Sequence, residues 1–256
     1  MATYKNIVMD ISDKIATITI NRPPNNILNI ETMKEINDAI INVKKNKAKI
    51  MILNGAGEKA FSTGVDIADH TEDKAKEMIS VFHDIFRNML QLDALTVAAV
   101  KGYALGGGFE LVMFCDMVVA AENAKFGQPE IKLSLFPPIA CIILPGIIPM
   151  KKAMEILLTG EMIDADGAMR LGLVNRIYPL AIFDEEFRKF IEVMKTISPV
   201  GIRFTKRAVA TAAGRDFHSA ITAVEELYLN ELMKTHDANE GLAAFIEKRK
   251  PQWKGE

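Results

Sequence analysis

The feature that most constrains the fold of this chain is an alternation of short apolar runs with helical patterns in its first half. Residues 15–20 alternate and are rich in β-branched side chains, which is typical of a half-buried strand. Apolar residues then recur at helical spacing over residues 31–43, and a short apolar run at 50–53 ends at an Asn-Gly turn. This order predicts strand, helix and strand, and therefore an α/β fold.

The same order continues up to residue 121. The spacing predicts a second amphipathic helix over residues 79–90 and a buried strand over 96–100. Three successive glycines then open a predicted helix over 109–115, and the run at 117–121 predicts the next strand. We therefore expect a layered core built from repeated strand and helix units.

The pattern changes beyond residue 151, where the strand signal weakens and helices are predicted. We expect a strand-bearing core over residues 1–195 and a helical C-terminal region over 196–256. Asp237 and Glu240 have the spacing of a capping box before the last helix. Because apolar helix faces need to be covered, a neighbouring subunit is one candidate. The predicted helices cover residues 152–158, 202–213, 217–233 and 239–248.

Length, charge and cysteine content narrow the function classes. The 256 residues suit one large domain, and a net charge of −2 supplies no general field for nucleic acid or an anionic membrane. Two cysteines far apart suggest neither a zinc site nor a disulfide framework, and the N-terminus lacks a signal-peptide pattern. We therefore expect a cytoplasmic protein with no metal, no nucleic-acid partner and no membrane partner.

Residues 133–150 form the longest uncharged stretch of the chain and contain four prolines. Proline interrupts a helix, so this stretch is not expected to span a membrane. We interpret it instead as a buried, irregular, apolar wall of a size to face a substrate.

The motifs of several common enzyme classes are missing from the sequence. The four histidines form no HExxH pattern, no GxSxG serine elbow occurs, and no GxGxxG or P-loop pattern passes through the glycine cluster. Carboxylates and backbone amides are therefore the candidate reagents.

The glycine cluster at Gly106, Gly107 and Gly108 precedes a predicted helix. Glycines let a ligand approach the backbone N–H groups, and a helix start favours negative charge, so this segment suits an oxyanion. The segment that contains Val65 could present a second N–H to the same point. Glu110 follows in the first helical turn, where an acid is also common without any catalytic role.

A second candidate acid, Glu130, lies between Pro129 and the apolar stretch. Burial there would raise its pKa toward neutrality and let it give and take protons. The alternative is an ordinary solvated turn residue. Asp66 is better explained as a helix cap than as a reagent.

Three successive segments resemble the signatures of the crotonase, or enoyl-CoA hydratase, superfamily. They are KAFSTGVD at residues 59–66, KGYALGGGFE at 101–110 and FGQPE at 126–130; LTGE at 158–161, GLVN at 172–175 and AFIEKRKP at 244–251 resemble later landmarks. The resemblance covers nearly the whole chain. It implies an α/β spiral of ββα units with a helical C-terminal region that trimerises, often as a dimer of trimers, and covers the coenzyme A site.

The resemblance also implies site roles on an acyl-CoA thioester. The N–H groups of Val65 and Gly107 would hold the thioester oxygen, while Glu110 and Glu130 would act together on water. No cofactor is implied, since coenzyme A is part of the substrate. The further substrate contacts implied are Lys59, Phe61, Asp66, Ile67, Ala68, Phe136, Phe245 and Lys248.

One departure from the usual pattern bears on the acyl group. Hydratases of this superfamily usually continue after the second glutamate with a glycine-rich segment, whereas this chain reads KLSLFPPIA at 132–140. That segment is most similar to the cyclohexa-1,5-diene-1-carbonyl-CoA hydratases of anaerobic aromatic degradation, which implies addition of water to a conjugated ring. The alternatives are a general enoyl-CoA hydratase or isomerase and a non-catalytic acyl-CoA binder.

Overall fold

The computed structural model describes residues 3–256, in which ten strands and ten α-helices alternate over most of the chain. The strands are β1 (Ile7–Ser12), β2 (Ile15–Ile20), β3 (Ile50–Gly55), β4 (Ala60–Ser62), β5 (Leu95–Val100), β6 (Tyr103–Leu105), β7 (Met117–Ala121), β8 (Lys125–Gly127), β9 (Ile163–Asp164) and β10 (Arg176–Tyr178). The helices are α1 (Ile30–Lys45), α2 (Ala75–Met89), α3 (Gly107–Phe114), α4 (Pro138–Ile147), α5 (Met150–Thr159), α6 (Ala165–Arg170), α7 (Phe183–Lys195), α8 (Pro199–Ala212), α9 (Phe217–Asn230) and α10 (His236–Ile246).

The larger sheet has six strands in the order β1-β2-β3-β5-β7-β10. β1 and β2 pair antiparallel, whereas β2 with β3, β5 with β7, and β7 with β10 pair parallel. Parallel neighbours need a connection long enough to cross back, and α1 supplies it between β2 and β3. Every residue of β5 is buried, as expected for a parallel strand covered on both faces.

The smaller sheet has the order β4-β6-β8-β9, and its first three strands run parallel. In this register Ser62 lies opposite Ala104, and Leu105 lies opposite Gly127. The three parallel strands therefore end at one edge of the sheet. The chain segments that follow them, 63–66, 106–110 and 128–130, contain the candidate site residues.

Compact packing divides the chain into two units. The first contains residues up to Leu92 and Thr96–Lys189, with both sheets; the second contains Asp93–Leu95 and Phe190–Glu256, with α8, α9 and α10. Within the second unit Val200, Phe204 and Leu227 form an apolar cluster. None of the helices in residues 3–256 is both long and apolar enough to cross a membrane.

The predicted α/β fold class is confirmed, and two predicted strands, 15–20 and 117–121, have the bounds of β2 and β7. The interpretation of residues 133–150 as a buried, irregular wall was wrong. Pro138 starts α4 and Pro137 is its N-cap, since proline suits a first helical turn. Leu133, Leu135 and Phe136 are exposed.

The predicted capping box at Asp237 was also wrong. The hydroxyl of Thr235 accepts the Ala238 N–H and caps α10. The buried carboxylate of Asp237 instead accepts N–H bonds from Lys254 and Gly255 and an O–H bond from Ser198. Asp237 therefore anchors the C-terminal segment within the second unit.

Candidate active site

Gly106 joins the end of β6 to the start of α3. Its N–H donates to the Gly127 carbonyl at 2.9 Å, and its φ of +53° is one that glycine adopts without strain. A Cβ atom on Gly106 would overlap Oε1 of Glu130. The missing side chain therefore lets the Glu130 carboxyl lie directly against the start of α3.

Two main-chain N–H groups lie next to each other at this point. A Cβ built on Gly107 would be 2.9 Å from Cγ2 of Val65, and one built on Gly64 would be 3.4 Å from the Gly107 nitrogen. The first residue of a helix has no intrahelical acceptor for its N–H. Neither the Val65 nor the Gly107 N–H has an acceptor among residues 3–256. The structure thus brings together two free donors, the minimum for an oxyanion hole.

Glu110 lies in the first turn of α3 and is a buried residue with only 2% of its surface exposed. Its Oε1 accepts the Ala140 N–H at 2.8 Å. Burial raises the pKa of Glu110 to about 7, the nearby negative charge of Glu130 adds to the rise, and the Ala140 hydrogen bond opposes it. Glu110 is therefore a buried acid that can change protonation state at neutral pH, not a solvated helix-start residue.

Glu130 lies in the 3-10 helix Pro129–Leu133, which follows β8. Its Oε2 is buried and has no hydrogen-bond partner within the described part of the chain. Burial raises the pKa of Glu130 to about 7. Because the charge of Glu130 also raises the pKa of Glu110, the two carboxyls repel each other when both are charged, and near neutral pH the pair can carry a single proton.

Three neighbouring residues were not found by sequence reasoning. The N–H of Ala140, in the first turn of α4, holds Glu110 in place. Cys141 is next in the chain, and burial together with the charges of Glu110 and Glu130 raises the pKa of its thiol. Gln128 is fully buried, and neither side-chain polar atom has a partner among residues 3–256. The only available signal for Gln128 was its place in the FGQPE segment.

The other expected substrate contacts in the first unit lie in different settings. Phe61 is fully buried in β4, so its side chain belongs to the core. Asp66 caps the 3-10 helix Ile67–Asp69 by accepting the Ala68 N–H at 3.1 Å, as expected for a cap. Ile67 is exposed, and so is Ala68.

Lys59 and Phe136 are also exposed, Phe136 by 70% of its surface. The Lys59 carbonyl accepts the Tyr103 N–H at 3.0 Å, which ties the Lys59 loop to β6. In the second unit, Phe245 is 85% exposed at the end of α10, and Lys248 follows it with a φ of +55°.

No group of three His, Cys, Asp or Glu side chains within residues 3–256 is placed to hold a metal ion.

Comparison with known proteins identifies the family. Residues 10–256 match the enoyl-CoA hydratase/isomerase family. The chain belongs to this family. It is 36% identical to the crotonyl-CoA hydratase of Syntrophomonas wolfei, over 96% of this chain and 97% of that protein. It is 34% identical to the short-chain-enoyl-CoA hydratase of Clostridium acetobutylicum, over 96% of both chains.

Solved structures of this family agree with the fold. The enoyl-CoA hydratase from Bacillus anthracis superimposes with a TM-score of 0.92 at 31% identity, covering 98% of this chain and all of that chain. These findings confirm the predicted superfamily and its spiral α/β fold. The similarity to the ring-specific hydratases stays a prediction, since the relatives above carry crotonyl-CoA and short-chain-enoyl-CoA names.

Proposed function

We propose that this protein is an acyl-CoA hydratase, a carbon–oxygen lyase that adds water to the double bond of an enoyl-CoA thioester. The observation that carries the proposal is the pairing of two carboxyls, buried Glu110 and half-buried Glu130, with two unpaired N–H groups, those of Val65 and Gly107, at one edge of the smaller sheet. Hydration needs a proton acceptor, a proton donor and a site for negative charge on oxygen, and these four groups supply them.

The proposed reaction begins with the thioester oxygen between the N–H groups of Val65 and Gly107. These donors draw electron density from the double bond and leave the β-carbon open to attack. One carboxylate takes a proton from water while the water oxygen forms a bond to the β-carbon. The enolate that forms then takes a proton at the α-carbon from the other, protonated carboxyl, so one water is added in total. No cofactor enters this scheme.

Variants of the same two acids also test the alternatives, a double-bond isomerase and a non-catalytic acyl-CoA binder. A double-bond isomerase needs a proton carrier but no water, whereas a binder of acyl-CoA needs no acid with a raised pKa. We expect Glu110→Gln and Glu130→Gln each to lower kcat by about 10²- to 10⁴-fold, because each loses a proton-transfer group. Binding of a saturated acyl-CoA should be retained, and Glu58→Gln, at an exposed position, is the matched control.

Turnover of these variants, together with substrate assays of the wild type, distinguishes a hydratase from an isomerase and from a binder. The outcome that contradicts hydration is wild-type turnover in both Gln variants, or a wild-type protein that binds acyl-CoA and neither hydrates nor isomerises it. Isomerisation of a 3-enoyl-CoA without hydration of a 2-enoyl-CoA would favour the isomerase.

For the acyl group we propose cyclohexa-1,5-diene-1-carbonyl-CoA, hydrated to the 6-hydroxycyclohex-1-ene product in anaerobic aromatic degradation. The support is the apolar segment that runs from Glu130 to Ala140, whose N–H binds Glu110. It places Leu133, Leu135 and Phe136 exposed between Glu130 and the start of α4. In a conjugated ring the negative charge spreads over the diene, so the proton can add at the far carbon and give net 1,4-addition.

A short straight-chain enoyl-CoA is the second candidate, favoured by the similarity to crotonyl-CoA and short-chain-enoyl-CoA hydratases. The deciding experiment offers the purified protein the ring substrate and crotonyl-CoA separately and follows loss of the conjugated thioester absorbance. A higher kcat/KM on the ring substrate is expected, and Phe136→Ala should lower it more for the ring than for crotonyl-CoA. Preference for crotonyl-CoA contradicts the ring proposal alone.

We further propose a cytoplasmic homotrimer or dimer of trimers, in which Lys59, Phe245 and Lys248 contact the coenzyme A moiety. Two aromatic residues on α9, Phe217 and Tyr228, are exposed. Burial of this apolar surface against a neighbouring subunit would favour the assembly. Light scattering should give three or six times the chain mass of 28.3 kDa, and a monomer would contradict the assembly. Lys59→Ala should raise KM with little change in kcat.

A further inference from the structure

The direction of the Val65 N–H is set by a segment that precedes it by nearly forty residues. The Leu28 N–H donates to the Gly64 carbonyl at 2.9 Å, and the Asp66 N–H donates to the Leu28 carbonyl at 3.0 Å. In a trans peptide the carbonyl and the following N–H point in opposite directions. Because the Gly64 carbonyl points at Leu28, the Val65 N–H points away from it.

Gly107 lies against the same two residues, since a Cβ built on Gly64 would be 3.4 Å from the Gly107 nitrogen. A Cβ on Gly64 would lie 2.9 Å from the Leu105 carbonyl oxygen, and the Val65 side chain lies against Gly107. The φ of +99° at Gly64 is one that only glycine adopts readily. The short parallel pairing of Leu28 with Val65 thus turns the Val65 donor away from Leu28 and leaves it free for the proposed thioester site next to Gly107.

The segment that holds Leu28 is itself held by one side chain. Asn26 is fully buried with a left-handed φ of +51°, and its Oδ1 accepts the Arg22 N–H at 3.0 Å. Its Nδ2 donates to the Ala60 carbonyl at 2.7 Å and to the Ala56 carbonyl at 3.0 Å. One amide group therefore fastens the turn before Leu28 to the strand that leads to Val65.

A second contact continues this connection along the chain. The Thr63 N–H donates to the Asn25 carbonyl at 3.0 Å, so residues 25–28 lie alongside 63–66 from one end to the other. Both ends of the turn at Asn26 are thus coupled to the loop that contains the Val65 donor. A shift of this turn would move the Val65 N–H with it.

We propose that Asn26 is a positioning residue for the oxyanion hole, which acts by fixing the Val65 N–H through Leu28. This inference rests on the proposed function. Asn26 does not touch the site residues in the described contacts, so it is not a catalytic residue. Its two donated bonds set where the donor points, and a donor misplaced by about 1 Å can cost about 100-fold in rate.

The test replaces Asn26 by Asp, which keeps the shape and the acceptor for Arg22 but removes both donated bonds. The matched control is Asn37→Asp, because Asn37 also donates from Nδ2 to two carbonyls, those of Met33 and Val81. We expect kcat of Asn26→Asp to fall about 10- to 100-fold with KM within about threefold of the wild type.

A spectroscopic measurement separates positioning from general loss of stability. Butyryl-CoA labelled at its carbonyl carbon lacks the double bond, so it stays intact while infrared difference spectra report the thioester carbonyl stretch. The wild type should lower this frequency on binding, because hydrogen bonds weaken the carbonyl. Asn26→Asp should show a smaller lowering, and Asn37→Asp should match the wild type even where its melting temperature falls equally.

Each outcome has a defined meaning. If Asn26→Asp matches Asn37→Asp in both kcat and carbonyl frequency, the positioning role is wrong while the hydratase function stands. If the wild type neither hydrates an enoyl-CoA nor shifts the carbonyl of butyryl-CoA, the proposed function fails and this inference falls with it. Should Asn26→Asp not fold, Asn26→Gly keeps the left-handed turn, removes the same donors and is interpreted in the same way.

Discussion

Replacing Glu110 by Gln should make the protein more stable at alkaline pH while it lowers kcat by about 10²- to 10⁴-fold. Burial raises the Glu110 pKa from 4.5 to about 7, which corresponds to ~3 kcal/mol of penalty on the charged form in the folded state. Glutamine has nearly the same shape, and its Oε1 can still accept the Ala140 N–H. The substitution therefore removes the penalty and keeps the bond.

The pH dependence follows from the direction of the pKa change. Below 4.5 the carboxyl is protonated in both the folded and the unfolded protein, so the variant gains nothing there. Between 4.5 and 7 the unfolded protein releases the proton first, which lowers the stability of the wild type as pH rises. Above 7 the folded wild type carries the whole penalty. The difference in free energy of unfolding should thus grow from near zero at about pH 4.5 to ~3 kcal/mol at about pH 8.

Urea unfolding of both proteins across this pH range measures the difference, and titrating groups that do not interact with Glu110 cancel when the two curves are subtracted. Glu130 does interact with Glu110, so its titration contributes to the difference near neutral pH. Glu58→Gln, at an exposed position, should differ from the wild type by less than ~0.5 kcal/mol at each pH. A difference for Glu110→Gln that does not change with pH, or a less stable variant at about pH 8, would refute the assignment of Glu110 as a buried acid with a raised pKa.

Three further predictions follow from single contacts. Because Glu110 and Glu130 both have a pKa of about 7 and the scheme needs one charged and one protonated, kcat/KM should fall on both sides of neutral pH; a flat profile contradicts it. Gly106→Ala should cost about 100-fold in kcat, because its Cβ would overlap Glu130; unchanged kinetics would contradict this packing. Burial raises the pKa of Asp237, yet bonds from Ser198, Lys254 and Gly255 outweigh it and lower the pKa. The stability this carboxylate contributes is present at neutral pH and lost only as pH falls below about 4. Asp237→Asn should therefore lower unfolding free energy by ~1–3 kcal/mol at neutral pH; an unchanged urea midpoint would contradict it.

Several strands and helices that repeat a period over five residues or more could be predicted from sequence, although the strand β1 and the helix α7 were not predicted. β2 and β7 have the predicted bounds because their apolar runs are bordered by turn residues. β4, β6 and β8 have only three residues each, too few for any period to show. These strands bring the candidate site residues together through their parallel register, which depends on contacts between residues far apart in the sequence.

The candidate site also contains residues that could be predicted from the sequence and a contact that could not. Glu110 and Glu130 could be named because their segments have recognisable composition and resemble a family. The Ala140 N–H that holds Glu110 could not, because the contact joins positions thirty residues apart and depends on where α4 begins. Four prolines suggested an irregular segment, whereas Pro137 and Pro138 lie at the start of α4, where proline is favoured.

The segment from Glu130 to Ala140, which contacts both acids, links substrate choice to proton transfer. It starts at Glu130 and ends at the Ala140 N–H that binds Glu110, and Phe136 lies exposed between them. The Leu135 N–H bonds back to the Glu130 carbonyl at 3.1 Å, so a backbone shift near Phe136 is passed to both acids. Burial is the main cause of both raised pKa values. Substitutions here that change acyl preference should therefore also displace the pH optimum, whereas a change at Lys59, the proposed coenzyme A contact, should alter KM and leave the optimum in place.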